Sequence, residues 1–253
     1  MITPAACTSI TSLLAQMSAQ RLAALFDQAP QRAADWVYVC AAGGLAPAQV
    51  CYGRMLLEGT GVAKDPSAAL AWFRRAAASG DLDAVNMVGR CLDNGWGVAA
   101  DLEAAAEQYR RAADAGHAWA QYNLGHLYLD GRGVAQDFVQ AFAYYHRAAR
   151  QQHARAMNLV GRCCEEGWGT PLDLRSAAAW YRRSAQSGYF RGQYNWATLL
   201  LKEGRAREAA AWLERAAAGG SAGVRQAVMD LCVRAGAGAV LRELAERLRA
   251  GGA

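Results

Sequence analysis

The chain repeats itself at a fixed spacing of 36 residues, and this period limits the folds that it can adopt. Four consecutive copies begin at Ala48, Ala84, Ala120 and Ala156 and align without a gap. A strict period of this length is typical of a solenoid, in which each repeat packs only against its neighbours. The sixth position of every copy is a glycine: Gly53, Gly89, Gly125 and Gly161. Further columns hold two glycines separated by one residue, then an aspartate, then an aromatic residue.

Each copy is predicted to form two helices, helix A and helix B. In the third copy, apolar residues three and four apart indicate a helix A from Ala120 to Asp130. Gly131 follows, where a helix end favours a residue that tolerates positive φ. Asp137 is then the predicted N-cap of helix B, and Gln152 follows that helix. The other three copies have a glycine in that last position: Gly80, Gly116 and Gly188.

These columns resemble those of a known family. The string A-x-x-x-L/V-G, followed by G-x-G-V-x-x-D and A-x-x-Y-R/H-R-A-A, is similar to the Sel1-like repeat of bacterial proteins, a relative of the tetratricopeptide repeat. The resemblance implies an all-α fold, a right-handed α/α solenoid or superhelix of helix-turn-helix repeats. The copy from Ala156 departs mildly, because Thr170 stands where the family has valine. A fifth copy is shorter and lacks the double-glycine loop between Lys202 and Arg207.

We expect one domain, because a solenoid has no internal boundary. Its ends are expected to be atypical repeats, since the outer face of a terminal unit meets water. The predicted division is a tail over 1–11, a degenerate N-capping repeat over 12–47, ungapped repeats over 48–83, 84–119, 120–155 and 156–191, a shortened repeat over 192–223, and C-terminal capping helices over 224–253.

Charge and hydropathy argue against two classes of partner. The chain carries 27 basic and 22 acidic residues, so its net charge of +5 is mild and lacks the basic stripe of a nucleic-acid-binding protein. No apolar run approaches the roughly 18 residues that cross a bilayer, and Met1 to Ser9 has no export signal. We therefore expect a cytoplasmic protein that neither binds nucleic acid nor inserts into a membrane.

The cysteines and histidines are expected to be structural. Cys91 and Cys163 share one column and are interpreted as small buried side chains. The odd total of seven cysteines favours reduced thiols, and a redox role for the adjacent Cys163 and Cys164 stays open. His117 and His153 fall in the turn after helix B. Neither a metal site nor a cofactor is predicted.

No catalytic motif is present, so we do not expect an enzyme. The sequence contains no G-x-x-x-x-G-K-[ST] loop, no H-E-x-x-H and no G-x-S-x-G. The family that the chain resembles includes cysteine-rich secreted members linked to β-lactam binding or hydrolysis. Neither Lys64 nor Lys202 has the serine three residues earlier that an S-x-x-K pair needs. That alternative, and a self-associating module or homodimer, stay open beside a non-catalytic scaffold or adaptor.

A peptide or protein partner is expected on helix A, which the resemblance to tetratricopeptide repeats places on the concave face. Two columns of that helix are the candidates. The first holds Arg54, Arg90, His126 and Arg162, and the second holds Asn86, Tyr122, Asn158 and Tyr194. The alternative to a binding surface is that these arginines simply form i, i+4 ion pairs with carboxylates along solvated helices. We give the two explanations equal weight.

A second candidate surface consists of two loop tryptophans. Trp96 and Trp168 lie two repeats apart, each inside Gly-Trp-Gly. An aromatic ring flanked by glycines suits a hot-spot anchor for a partner, and packing into the next repeat explains it equally well. The second and fourth copies share further residues, which indicates a duplicated pair of repeats.

Overall fold

The computed structural model describes residues 27–234 and 238–250. Within these residues the chain forms thirteen complete helices and no strand, which confirms the predicted all-α solenoid. The predicted tail over 1–11, including Cys7, and residues 12–26 of the predicted N-capping repeat lie outside the described residues. The helices are α1 (Pro30–Ala42), α2 (Ala46–Glu58), α3 (Pro66–Ala78), α4 (Leu82–Asn94), α5 (Leu102–Asp114), α6 (Ala118–Asp130), α7 (Phe138–Arg150), α8 (Ala154–Glu166), α9 (Leu174–Gln186), α10 (Phe190–Lys202), α11 (Ala206–Gly219), α12 (Ala222–Arg234) and α13 (Ala239–Ala250).

The chain divides into two compact units, Met1–Gln136 and Asp137–Ala253. Unit 1 contains α1 to α6, and unit 2 contains α7 to α13. In each unit a helix A packs on the helix B that follows it, as α4 does on α5 and α8 does on α9. Helix A also touches the helix A of the next repeat, as α2 does α4 in unit 1 and α8 does α10 in unit 2.

Side chains cap the starts of most repeat helices. Asp65 accepts a hydrogen bond at 2.9 Å from the amide of Ala68, and Asp137 begins helix B in the same way. His117 caps α6 through Nδ1, which accepts a hydrogen bond from the Ala120 amide at 3.2 Å. The predicted aspartate caps are therefore confirmed. The histidine explains why α6 begins two residues before the predicted Ala120.

Glycine in the helix A column leaves room for an aromatic ring of helix B. A Cβ on Gly89 would meet Tyr109 Cδ1 at 2.8 Å, and one on Gly161 would meet Tyr181 Cδ1 at 2.7 Å. Both rings are at most 2% exposed. The sixth position of the repeat is thus fixed by close packing between its two helices.

The second glycine of each double-glycine loop lies against the preceding helix B. A Cβ on Gly97 would overlap the Pro66 carbonyl, and one on Gly169 would overlap the Phe138 carbonyl. The first glycine of the loop, such as Gly95, has φ of 70° and ends helix A. The loop is therefore both a helix stop and a contact between repeats.

Candidate functional site

The two surfaces predicted on helix A and on the loops meet in one arrangement. The Arg90 guanidinium carbon lies 5.0 Å from the ring centroid of Trp96, and that of Arg162 lies 4.8 Å from the ring centroid of Trp168. Both distances are within the range of a cation–π interaction. We call these two arrangements the Arg–Trp pairs. From the sequence, the arginines and the tryptophans were two alternative candidate surfaces. The structure pairs Arg90 with Trp96 in unit 1 and Arg162 with Trp168 in unit 2.

The end of helix A sets the position of each tryptophan. Gly95, in the left-handed conformation, turns the chain so that the Trp96 amide donates to the Cys91 carbonyl at 2.9 Å. The Trp168 amide donates to the Cys163 carbonyl at 3.0 Å in the same way. The loop therefore folds back over its own helix. This return places each ring over the guanidinium six residues earlier.

Two carboxylates beside the Arg–Trp pairs were missed in the sequence. Asp93 accepts hydrogen bonds from the Tyr109 hydroxyl at 3.3 Å and from Arg132 at 2.6 Å. Glu165 accepts one from the Tyr181 hydroxyl at 2.7 Å. Burial and these carboxylates raise the pKa of both tyrosines, so the hydroxyls remain donors at neutral pH. The sequence does contain a signal for these two carboxylates. The repeat column that holds Asp93 and Glu165 has leucine in the first and third copies.

The asparagines of the second predicted column serve contacts between repeats. Asn86 accepts a hydrogen bond at 2.9 Å from Nδ2 of Asn123, and Asn158 accepts one at 2.8 Å from Asn195. Both acceptor residues are only 5% exposed. They therefore offer little surface to a partner.

The remaining predicted residues lie in different surroundings. The ring of Tyr122 on α6 contacts Trp119 at 5.9 Å and His126 at 4.7 Å, both edge to face. Trp119 is 44% exposed, so this aromatic group reaches the surface. Tyr194 on α10 packs against the C-terminal core of unit 2. Arg54 is exposed on α2, where the loop has threonine in place of tryptophan.

The buried thiols have little nucleophilic character. Burial raises the pKa of Cys91 to about 11 and that of Cys163 to about 12. Burial also raises the pKa of Cys164, and none of the three forms a disulfide. Since the thiolate is the reactive form, these side chains act as small core residues at neutral pH.

The repeat columns and helix pairs match one family model. The Sel1 repeat model matches residues 46–81, 82–117, 120–153, 154–189 and 191–221, which together are more than half of the chain. The chain belongs to the Sel1 repeat family. The fifth Sel1 repeat is the shortened one that lacks the double-glycine loop. No curated protein matches the chain in sequence.

Solved structures share the Sel1 architecture. The protective antigen c5321 of uropathogenic Escherichia coli strains, which displays an SLR fold, is 25% identical with a TM-score of 0.72 over 97% of this chain and 56% of its own. This chain thus spans little more than half of that protein. A Sel1 repeat protein from Oxalobacter formigenes is 27% identical with a TM-score of 0.71 over 85% of both chains. The immunity protein Pa5087 from Pseudomonas aeruginosa shares the fold at 16% identity, with a TM-score of 0.53 over 81% of this chain and 80% of its own.

The described residues contain neither a membrane-crossing helix nor a metal-binding group. None of the helices in this part of the chain has the length and apolarity to cross a bilayer. Residues 27–234 and 238–250 contain no group of three or more histidine, cysteine or acidic side chains arranged to hold a metal ion.

Proposed function

We propose that this Sel1 repeat protein is a non-catalytic scaffold that binds a peptide or protein partner at its Arg–Trp pairs. Sel1 repeats generally serve as scaffolds for interactions between proteins. The observation that carries the proposal is the stacking of Arg90 on Trp96 and of Arg162 on Trp168. Arg162 is exposed, and both rings are partly exposed at the end of a helix A.

The chemistry of the Arg–Trp pairs suits recognition. Tryptophan and arginine are the residues that most often dominate binding energy at protein interfaces. A guanidinium already held over a ring loses less side-chain freedom when a partner arrives, which lowers the entropic cost of binding. A carboxylate or a backbone carbonyl of the partner is the expected acceptor for the remaining N–H groups of each arginine.

An apolar edge lies beside the Arg162–Trp168 pair in unit 2. The Trp168 ring stacks on Phe138 at 6.1 Å with an angle of 18° between the planes. Phe138 is exposed, as are three apolar side chains close to Phe138 or Trp168 in the sequence: Val139, Leu172 and Leu174. Apolar side chains grouped beside an anchor residue are typical of an interaction surface. Self-association through this edge, giving a homodimer, is the second candidate function.

The finer features of the scaffold also belong to this proposal. We place the protein in the bacterial cytoplasm as an adaptor. Its partner would bind on the face predicted to be concave. The buried, protonated thiols of Cys91 and Cys163 support this over a cysteine-rich, β-lactam-directed relative, as does the lack of an S-x-x-K pair.

Affinity capture from the lysate of the source cell tests the proposal. The comparison is between wild type, Arg90→Gln/Arg162→Gln, Trp96→Leu/Trp168→Leu and the control Arg242→Gln/Arg249→Gln, after circular dichroism has shown that all are folded. Because the arginine and the tryptophan within each pair act together, we expect both paired variants to lose the same partner and the control to keep it. Retention of that partner by both paired variants contradicts the proposal. Light scattering of wild type without a partner tests for the homodimer.

A further inference from the structure

Two successive B helices of unit 2 carry positive charge without any acidic residue. Neither α7 nor α9 contains an aspartate or a glutamate within its bounds. The basic residues of the two helices are Arg147, Arg150, Arg175, Arg182 and Arg183. This charge lies on helix B, whereas the Arg–Trp pairs lie at the end of helix A.

Aromatic contacts join the two helices into one row. The rings of His146 on α7 and Trp180 on α9 meet edge to face at 5.7 Å, with 81° between the planes. The Arg183 guanidinium carbon lies 4.8 Å from the Trp180 ring centroid. On the other side, Phe142 stacks on His146 at 5.8 Å. Side chains from two repeats thus form a single surface in unit 2.

The arginines of this row have unused donors. Arg150, Arg182 and Arg183 are exposed, and none of them forms an ion pair within the part of the chain that the structure describes. The nearest acids in the sequence, Asp137 and Asp173, cap the opposite ends of α7 and α9. Burial and the nearby Arg150 lower the pKa of His146, so its ring is neutral at pH 7 and acts as an aromatic contact.

The same arrangement occurs in unit 1. Tyr38 meets Trp72 edge to face at 6.1 Å, and the Arg75 guanidinium carbon lies 5.4 Å from the Trp72 centroid. These three residues lie three repeat lengths before His146, Trp180 and Arg183. In unit 1, however, α1 contains Asp35. The contact geometry therefore recurs in unit 1, but the pair α1 and α3 includes an acidic residue and the pair α7 and α9 does not.

We infer that the row formed by Arg150, His146, Trp180 and Arg183, together with the exposed Arg182 of α9, binds an acidic segment of a partner protein. These five residues are here called the helix B ridge. The ridge offers several guanidinium groups, whose paired N–H donors match the two oxygens of a carboxylate. Stacking on Trp180 holds Arg183 in one place, which favours a specific contact over diffuse charge attraction.

An acidic peptide fits this surface better than single-stranded nucleic acid does. Proteins that bind single strands offer open aromatic faces on which successive bases stack. Here Trp180 already contacts Arg183 and His146, and His146 already contacts Phe142. The guanidinium donors are thus the available groups, and they select for carboxylates.

Fluorescence anisotropy with a fluorescein-labelled octaglutamate peptide tests the inference on the full chain at 0.15 M salt. The ridge variant is Arg150→Gln/Arg182→Gln/Arg183→Gln. The control Arg207→Gln/Arg242→Gln/Arg249→Gln removes the same charge from exposed arginines elsewhere in unit 2. We expect binding to weaken about tenfold in the ridge variant and less than about twofold in the control. Trp180→Leu keeps every cation and is expected to weaken binding about threefold.

Three results would overturn the inference. They are absence of octaglutamate binding by wild type, equal weakening in the ridge variant and the charge-matched control, and tighter binding of an oligothymidylate of equal charge with the same arginine dependence. The lysate capture reports on the Arg–Trp pairs, and the octaglutamate titration of the ridge variant against its charge-matched control reports on the ridge. The ridge and the Arg–Trp pairs are thereby tested separately, and either can fail alone.

Discussion

The guanidinium carbon of Arg162 lies 4.8 Å from the ring centroid of Trp168, six residues further along the chain. Arg90 and Trp96 show the same relationship two repeats earlier. The repeats that lack an Arg–Trp pair share a different feature. In each of them a buried glutamine on helix A donates to a carbonyl at the end of the preceding helix B. These donors are Gln49, Gln121 and Gln193. These side-chain interactions thus recur in every second repeat, although the pair of helices recurs in every repeat.

Removal of either member of an Arg–Trp pair should show that the two side chains are coupled. We expect a double-mutant cycle of Arg162→Gln and Trp168→Leu to give a coupling of about 0.5–1 kcal/mol in the free energy of unfolding, because a partly exposed cation–π contact contributes that much. Urea denaturation measures it. Arg54→Gln with Trp168→Leu is the control cycle and should give no coupling, since Arg54 belongs to a repeat without a loop tryptophan. Additive effects in the first cycle would contradict a pair.

The second loop glycine should tolerate substitution less than other glycines with positive φ. Gly80→Ala is expected to cost about 1 kcal/mol for the left-handed backbone alone, because no atom lies within 4 Å of a Cβ there. Gly97→Ala should cost at least about 1–3 kcal/mol more, since its Cβ overlaps backbone atoms of Pro66 that cannot move without shifting a repeat. Chemical denaturation of both variants checks this. Equal losses would show that the contact between repeats can relax.

The fold was predictable because a regular period aligns every helix stop and every cap in columns. The Arg–Trp pair was not, because the contact depends on how far the chain turns back after Gly95. The burial of Asn86 was also hidden, since its partner Asn123 lies in another column of the next repeat.

The helix B ridge was missed for a related reason. His146 and Trp180 are separated by slightly less than one repeat length, so an alignment of the repeats places them in different columns. Tyr38 and Trp72 have the same separation. These contacts between B helices therefore join two different columns of the repeat.

His146 should make the protein less stable in mild acid. Burial and Arg150 lower its pKa from the ordinary value of 6.5, so the folded protein holds this proton less tightly than the unfolded chain does. The neutral His146 ring therefore makes its full contribution to the free energy of unfolding above pH 6.5. This contribution is lost as the pH falls through the folded-state pKa of His146. NMR titration should give His146 a midpoint below 6.5, and Arg150→Gln should raise it. A midpoint at or above 6.5 in wild type would contradict the burial of this ring beside Trp180.

Alkylation should separate the buried thiols from the half-buried one. Iodoacetamide at pH 8 followed by peptide mapping is expected to modify Cys51 before Cys91 and Cys163, because the last two are almost fully buried and have the pKa values of about 11 and about 12. All three should react at similar rates in guanidinium chloride, which serves as the control. Fast modification of Cys163 in the folded protein would support a redox role for Cys163 and Cys164.

Gln152 should be a site at which a single substitution stabilises the fold. Its φ is 64°, and no other non-glycine residue in the described part of the chain has a positive φ. The equivalent glycines, Gly80, Gly116 and Gly188, adopt the left-handed conformation at no steric cost. We expect Gln152→Gly to raise the free energy of unfolding by about 1 kcal/mol, measured by urea denaturation. Gln151→Gly is the matched control: its φ is −89°, so the added flexibility should lower stability there. A loss of stability in Gln152→Gly would mean that the glutamine side chain contributes more than its backbone strain costs.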